Sequence, residues 1–260
     1  MGPAHGEATH VGCVREHNED AYVADPERGI WIVADGMGGH QGGEVASRIA
    51  ADFIHEELVR GHTLQEAVSR AHTVVARAAA DGLGQRGMGS TSVALQLRGA
   101  EYRIAWVGDS RAYLWDGARL RQLTRDHSLV QRMLDQGQIS SADAAVHPYR
   151  NVITQALGAA DLAAVDVEEV HGSLNRGEVL VLCSDGLSGE VPVNDMQDIL
   201  AGSSDPQTGA DALVQAALDR GGSDNVTVLV VTAPGDAPLA TAAREDDDPT
   251  GPLDIRGSDR

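Results

Sequence analysis

Lysine occurs nowhere in the 260 residues, so all 20 basic residues are arginine. That absence excludes a Walker-type phosphate loop, which needs a lysine on the phosphates, and it excludes Schiff-base chemistry. Positive charge is scarce altogether: 39 acidic residues against 20 arginines leave a formal net charge of -19. Nucleic acid and anionic membranes require a basic face, so neither is expected as a partner, whereas divalent cations suit such a chain. No apolar run approaches the ~18 residues of a membrane span, and no basic start followed by an apolar stretch marks an export signal. The expectation is a cytoplasmic protein without a membrane span.

Cysteine is limited to Cys13 and Cys183, each in a short apolar run (HVGCV and VLVLCS), and a buried free thiol is expected at both. A cysteine-nucleophile phosphatase would place an arginine six positions on to hold the phosphate, but Glu19 and Gly189 stand there. What the chain does have is apolar content, 42%, enough to bury a sizeable core.

Strand-like runs occupy 9–14, 21–24 and 30–34, and a helix is expected from about 44 to 60. Thr63-Leu-Gln-Glu66 is a capping box, opening a helix that runs to Ala80 and stops at Asp81-Gly82. A β-rich middle follows in SVALQLR, YRIAWVG, RAYLWD and ARLRQL, with Asp116-Gly117 as a hairpin turn. Residues 128–158 read as short helices broken at Gly137 and His147-Pro148, an inserted, solvent-facing segment. Strand runs at 164–170 and 179–183, helices near 194–200 and 208–220, and a last strand at 226–231 complete the pattern. Antiparallel strand pairs with long helices between them predict an α+β layered sandwich rather than a parallel sheet.

From Asp236 onward there are seven acidic and three basic residues and almost no aliphatic content, which reads as a disordered tail. Removing the tail's -4 from -19 leaves -15 on the body, so the tail is not the source of the acidity. The organisation expected is a flexible N-terminus (1–8), one domain (9–233) and an acidic tail (234–260), without internal repeats.

The stretch IWIVADGMGGHQGGEVA (30–46) ends an apolar run on Asp35 and follows it with Gly36, Gly38, Gly39, Gly42 and Gly43. A carboxylate at a strand end is costly unless a cation meets it, and glycines let backbone approach a ligand closely. Asp109 in WVGDS, Asp185 in LVLCSDG and Asp224 in GGSDNVTV repeat the context. Singly, each is a turn or cap residue. If their strands lie side by side, four carboxylates meet, a concentration of charge tolerable only around hard cations. Oxygen donors without a His or Cys set favour Mg²⁺ or Mn²⁺ over Zn²⁺. The ten histidines do not fall at ligand spacings, and most, including His40, read as surface or loop residues. The glycine spacing does not match a dinucleotide fingerprint, and GDSRA lacks the helix that a nucleophile elbow needs after its serine.

REHNED (15–20), VADGMGGH (33–40), GMGSTSV (87–93), WVGDSRAY (106–113), LTRDHSLV (123–130), RNVITQALG (150–158), LCSDGLS (182–188) and GGSDNVTV (221–228) occur in one order. Over residues 9–232 this series resembles the metal-dependent protein phosphatases, the PPM or type-2C serine/threonine phosphatases, in their bacterial form. The resemblance implies a four-layer α-β-β-α sandwich, two antiparallel sheets flanked by helices, with a two-metal centre of Mn²⁺ or Mg²⁺ at one end. It implies that Asp35 bridges both ions, that the Gly36 carbonyl binds one, that Asp185 and Asp224 complete the other, and that Asp109 shares a third, weaker ion with Asp185. Arg15 then holds the phosphate, Glu19 and Asp20 orient metal-bound waters, and 128–158 is a flap bordering the substrate groove.

The reaction implied is hydrolysis of phosphoserine or phosphothreonine in proteins, the substrates of a cognate kinase, by a metal-bridging hydroxide in a monomeric enzyme. Met37 stands where some eukaryotic relatives carry a histidine proposed as general acid, which leaves the proton donor to the leaving group unassigned, with a metal-bound water in its place. The alternatives are a non-catalytic phosphoprotein- or metal-binding regulator of the same fold and a small-molecule phosphoesterase. The intact Asp35, Asp185, Asp224 and Arg15 count against the first, and the sequence does not separate the second.

Overall fold

A computed structural model describes residues 2–38 and 42–235. Its elements are β1 (His5–His10), β2 (Asp20–Asp25), β3 (Ile30–Met37), α1 (Gly42–Val59), α2 (Leu64–Ala80), β4 (Gly89–Ser90), β5 (Ser92–Arg98), β6 (Glu101–Val107), β7 (Arg111–Trp115) and β8 (Leu120–Gln122), then α3 (Leu129–Asp135), α4 (Ser141–Ala145), β9 (Glu168–Ser173), β10 (Val179–Cys183), α5 (Asp185–Ser188), α6 (Val193–Gly202), α7 (Pro206–Asp219) and β11 (Val226–Thr232).

One sheet runs β1-β11-β10-β7-β8; the other runs β2-β3-β5-β6-β9, with β4 beside β3. Every pairing is antiparallel. The central strands are apolar on both faces because both faces are covered. On β3, Ile30, Ile32 and Ala34 meet α1 and α2, while Trp31 and Val33 enter the layer between the sheets. On β11, Leu229 and Val231 enter that same layer, and Val226, Val228 and Val230 face the side of α6 and α7. Each such buried Val, Leu or Ile contributes ~1.5–3 kcal/mol of transfer free energy. The four-layer sandwich expected from the sequence is the architecture observed.

Helix α2 starts where its capping box places it: Thr63 Oγ1 accepts from Glu66 N–H (3.2 Å) and Glu66 Oε2 accepts from Thr63 N–H (2.9 Å). In the β7–β8 hairpin, Asp116 Oδ1 accepts from Ala118 N–H and Arg119 N–H. The segment 128–158 carries the short helices α3 and α4 and exposes Val146, Tyr149 and Val152.

Some expectations need correcting. The first strand is His5–His10, not 9–14, so residues 5–8 are not a flexible end; they pair with 228–231 of β11. Their polar sequence hides them, since this edge strand is held by backbone pairing to a fully buried neighbour. The strand expected at 164–170 is β9, displaced to Glu168–Ser173 by its register on β6. Cys183 is buried as expected, but Cys13 is exposed, because 11–14 is a turn after β1 rather than its continuation. His72 and His127 are buried, unlike most of the other histidines. His40 and the tail from Asp236 lie outside the described residues.

Candidate metal centre and phosphate site

The antiparallel registers bring the acidic residues to one end of the sandwich. Asp20 opens β2 directly opposite Asp35 near the end of β3. Asp109 sits in the turn between β6 and β7, Asp185 follows β10 at the start of α5, and Asp224 lies just before β11, separated from it by Asn225. Cys183, at the end of β10, pairs with Arg111 on one side and Val228 on the other, which aligns these ends. Arg15 and Glu19 come from the loop between β1 and β2.

Asp20 joins the two sheets. Its Oδ2 accepts from Ser184 Oγ and from Thr227 Oγ1, both at 2.7 Å. Asn225 holds the Arg15 loop: its Oδ1 accepts from Glu19 N–H (2.7 Å), and its Nδ2 donates to Val11 O and His17 O (both 2.9 Å). The backbone of Asp35 is fixed by Thr91, whose Oγ1 accepts from Asp35 N–H (3.0 Å) and whose N–H donates to Asp35 O (2.8 Å). Thr91 Oγ1 also shares a hydrogen bond with Ser110 beside Asp109 (2.7 Å). Arg15 reaches Asp224 Oδ2 at 2.7 Å from an exposed position.

The electrostatics show a cluster short of positive charge. Burial, then the charges of Asp20, Asp185 and Asp109, holds the Asp35 carboxyl well above the usual range, although part of its surface opens to the cleft. Burial pushes Asp109 up to about 8, with Asp185 and Asp126 adding to it. Burial likewise takes Asp20 to about 7 despite its two hydroxyl donors. Asp185 and Glu19 are raised, again chiefly by burial. Asp35 and Asp185 lie within hydrogen-bonding reach of one another, so a shared proton relieves their repulsion.

Glu19 Oε1, Asp20 Oδ1 and Asp185 Oδ1 are buried without a hydrogen-bond partner among the described residues. Partnerless buried carboxylate oxygens are expensive, and an all-oxygen donor set of this kind suits hard divalent cations. Among the described residues no three His, Cys, Asp or Glu side chains are already gathered tightly enough to cage an ion; Asp224 is turned to Arg15 instead. The residues present therefore fit a divalent centre in the kind of donor they offer, with Asp224 paired to Arg15. A cavity of about 500 Å³ lined by His62, Arg70 and Val165 lies elsewhere and holds none of these carboxylates. Chemistry rather than volume locates the site.

The family described as protein phosphatase 2C matches residues 13–219. The chain belongs to that family. The serine/threonine phosphatase Stp of Listeria welshimeri is 38% identical over 236 residues, 86% of this chain and 93% of that protein. Among solved structures, the serine/threonine phosphatase Stp1 from Staphylococcus aureus superposes with a TM-score of 0.82 at 30% identity, covering 89% of this chain and 95% of that one. The catalytic domain of the serine/threonine protein phosphatase PstP, solved in complex with two manganese ions, gives 0.77 at 30% identity, covering 89% of this chain and 98% of that one.

Within the phosphatase 2C fold, two of the glycines after Asp35 have a reason the sequence did not suggest. A Cβ on Gly36 would collide with the carbonyl of Gly43 and with Glu19 O (2.5 Å), and one on Gly43 would lie 2.6 Å from the Glu19 carboxyl carbon. These glycines let α1 and the Glu19 loop close on one another. The residues that sequence reasoning missed are Ser184, Thr227, Asn225, Thr91 and Ser110, which hold the acids in place. All five sit in the quoted motifs, but nothing local marks their partners.

Proposed function

We infer that the chain is a metal-dependent protein serine/threonine phosphatase whose reaction centre is this carboxylate cluster. The observation that carries the reading is the set of buried, partnerless oxygens on Glu19, Asp20 and Asp185, gathered with Asp35 at one end of the sandwich. Asp35, the Gly36 carbonyl, Asp185 and Asp224 would hold two divalent ions, Mn²⁺ or Mg²⁺, and Asp109 with Asp185 a weaker third. Bound there, the ions supply an acidified water and neutralise charge on the phosphoryl oxygens.

The chain's own groups do the rest. Asp20, locked by Ser184 and Thr227, and Glu19, locked by Asn225 through its backbone, would orient water with their free oxygens. Arg15, which pairs with Asp224 here, would hold the substrate phosphate with its guanidinium fork once Asp224 is engaged elsewhere. Among the described residues of the cluster no side chain is poised as a nucleophile: Cys183 is buried with its thiol pushed up to about 12, and the hydroxyls of Ser110 and Ser184 are committed to Thr91 and Asp20. Direct hydrolysis without a covalent phosphoenzyme follows. Met37 offers no proton, so cleft water protonates the leaving group.

The substrates in this reading are phosphoserine and phosphothreonine proteins supplied by a cognate kinase, and the enzyme is a cytoplasmic monomer; among the described residues no helix is long and apolar enough to cross a membrane. The test is hydrolysis of p-nitrophenyl phosphate and a phosphothreonine peptide with Mn²⁺, with Mg²⁺ and with EDTA. Mn²⁺-restored activity on the peptide is expected. Full activity after exhaustive chelation overturns the metal-based reading.

A further inference from the structure

We infer that His127 is a positioning residue that clamps the Asp109 turn to the root of the flap formed by residues 128–158, so that carboxylate and flap hold one geometry together. This rests on the reading that Asp109 serves the reaction. His127 is 8% exposed and engages Gly108 twice: its backbone N–H donates to Gly108 O (2.9 Å), and its Nδ1 accepts from Gly108 N–H (3.2 Å). Because Nδ1 is claimed as an acceptor, the ring proton resides on Nε2, which faces Glu168 Oε1 at the start of β9 (3.3 Å). The ring lies against Trp106, 6.5 Å between centroids, and Trp106 Nε1 donates to Arg125 O (2.8 Å).

The same residue holds both ends of the flap. His127 O accepts from Thr154 N–H (2.6 Å), Ser128 bridges Ile153, and Leu129 N–H donates to Val152 O (2.8 Å). On the other side of the clamp, only Gly108, Asp109 and Ser110 separate β6 from β7. Gly108 has φ +104°, and a Cβ there would lie 2.6 Å from Thr91 Cγ2, so this turn has one conformation to adopt. Ring and backbone address the same residue, Gly108, next to the buried acid.

The test compares His127→Asn, whose amide oxygen can take the place of Nδ1 and accept from Gly108, with His127→Gln, which reaches only the Nε2 position. Amide exchange of Gly108, measured in EDTA and in Mn²⁺, should be about tenfold faster in His127→Gln than in wild type, the loss of one hydrogen bond or ~1.4 kcal/mol, while His127→Asn stays near wild type. On a phosphothreonine peptide, kcat per folded molecule should fall several-fold in His127→Gln and be largely rescued in His127→Asn. Combining His127→Gln with Asp109→Ala should add no further loss. Equal exchange in the two variants, equal loss of kcat, or a fully additive double variant overturns the clamp. If Asp109→Ala alone keeps wild-type kcat, it is the role of Asp109 that fails, and the exchange comparison still decides whether His127 holds the turn.

Discussion

Raising the pH of the metal-free protein from about 5 to about 8.5 should destabilise it. Asp20 and Asp109 move from the ordinary 3.8 to about 7 and about 8 in the folded chain, so the folded state keeps protons that the unfolded state has released. Their contribution is fully present below the unfolded value and is lost as pH rises through the folded ones. For Asp20 alone, the roughly two pH units between 5 and its folded value of about 7 correspond to ~3 kcal/mol at ~1.4 kcal/mol per pH unit. At ~2–4 °C per kcal/mol for a domain of this size, the melting temperature should fall by about 10 °C. The acids held below their ordinary values, such as Asp25, Asp116 and Asp205, complete their gain by about pH 5 and do not offset the loss. Calorimetry in EDTA across this range measures the effect. Asp20→Asn should flatten the slope, which separates the cluster from the general repulsion of an acidic chain. Excess Mn²⁺ should reverse it, because a cation binding among the deprotonated carboxylates offsets their mutual repulsion in the folded state. A melting temperature that is flat or rises between pH 5 and 8 in EDTA would refute the crowding of carboxylates described above.

Asp35→Asn should lower kcat by orders of magnitude at saturating Mn²⁺ while leaving the metal-free fold as stable as wild type or more so, since a raised carboxyl is removed; near wild-type turnover would show that Asp35 is not a ligand. Arg15→Ala should raise KM for a phosphopeptide at least as much as it lowers kcat, and an unchanged KM would place Arg15 outside the phosphate site. Asn225→Ala removes three buried hydrogen bonds and should cost ~3 kcal/mol in urea unfolding, with a raised KM because the Arg15 loop loosens; a cost under ~1 kcal/mol would mean that the loop is held elsewhere.

The central strands were legible because β3, β10 and β11 are apolar runs between turn residues and β5 and β6 alternate apolar with polar residues, and Asp35, Asp109, Asp185 and Asp224 were legible because each stands beside the end of such a run. β1 was not: HGEATH has no apolar face, and its place comes from the register with β11, more than 200 residues away in sequence. Cys13 was misjudged for the same reason, since its apolar neighbours suggested strand where the chain turns. Ser184 and Thr227 look like ordinary strand-end residues, yet they meet Asp20 across sequence separations of 164 and 207. Hydroxyl and amide partners of that kind have no local periodicity to betray them. Gly36 and Gly43 announced a close approach, but the approaching group is protein, the Glu19 loop, at least as much as ligand.

The bond network of Asp20 also bears on the order in which the molecule comes apart. Asp20 belongs to one sheet, while Thr227 lies in β11 of the other and Ser184 directly follows its β10, so the complete set of acids exists only when the sheets have docked. Contacts closed over 200 residues are among the last that a folding chain makes, and interactions absent from the transition state act on the unfolding rate. A cation gripped by both sheets would therefore leave the refolding rate nearly unchanged and slow unfolding. Through it, the lifetime of the folded enzyme would follow the supply of divalent metal.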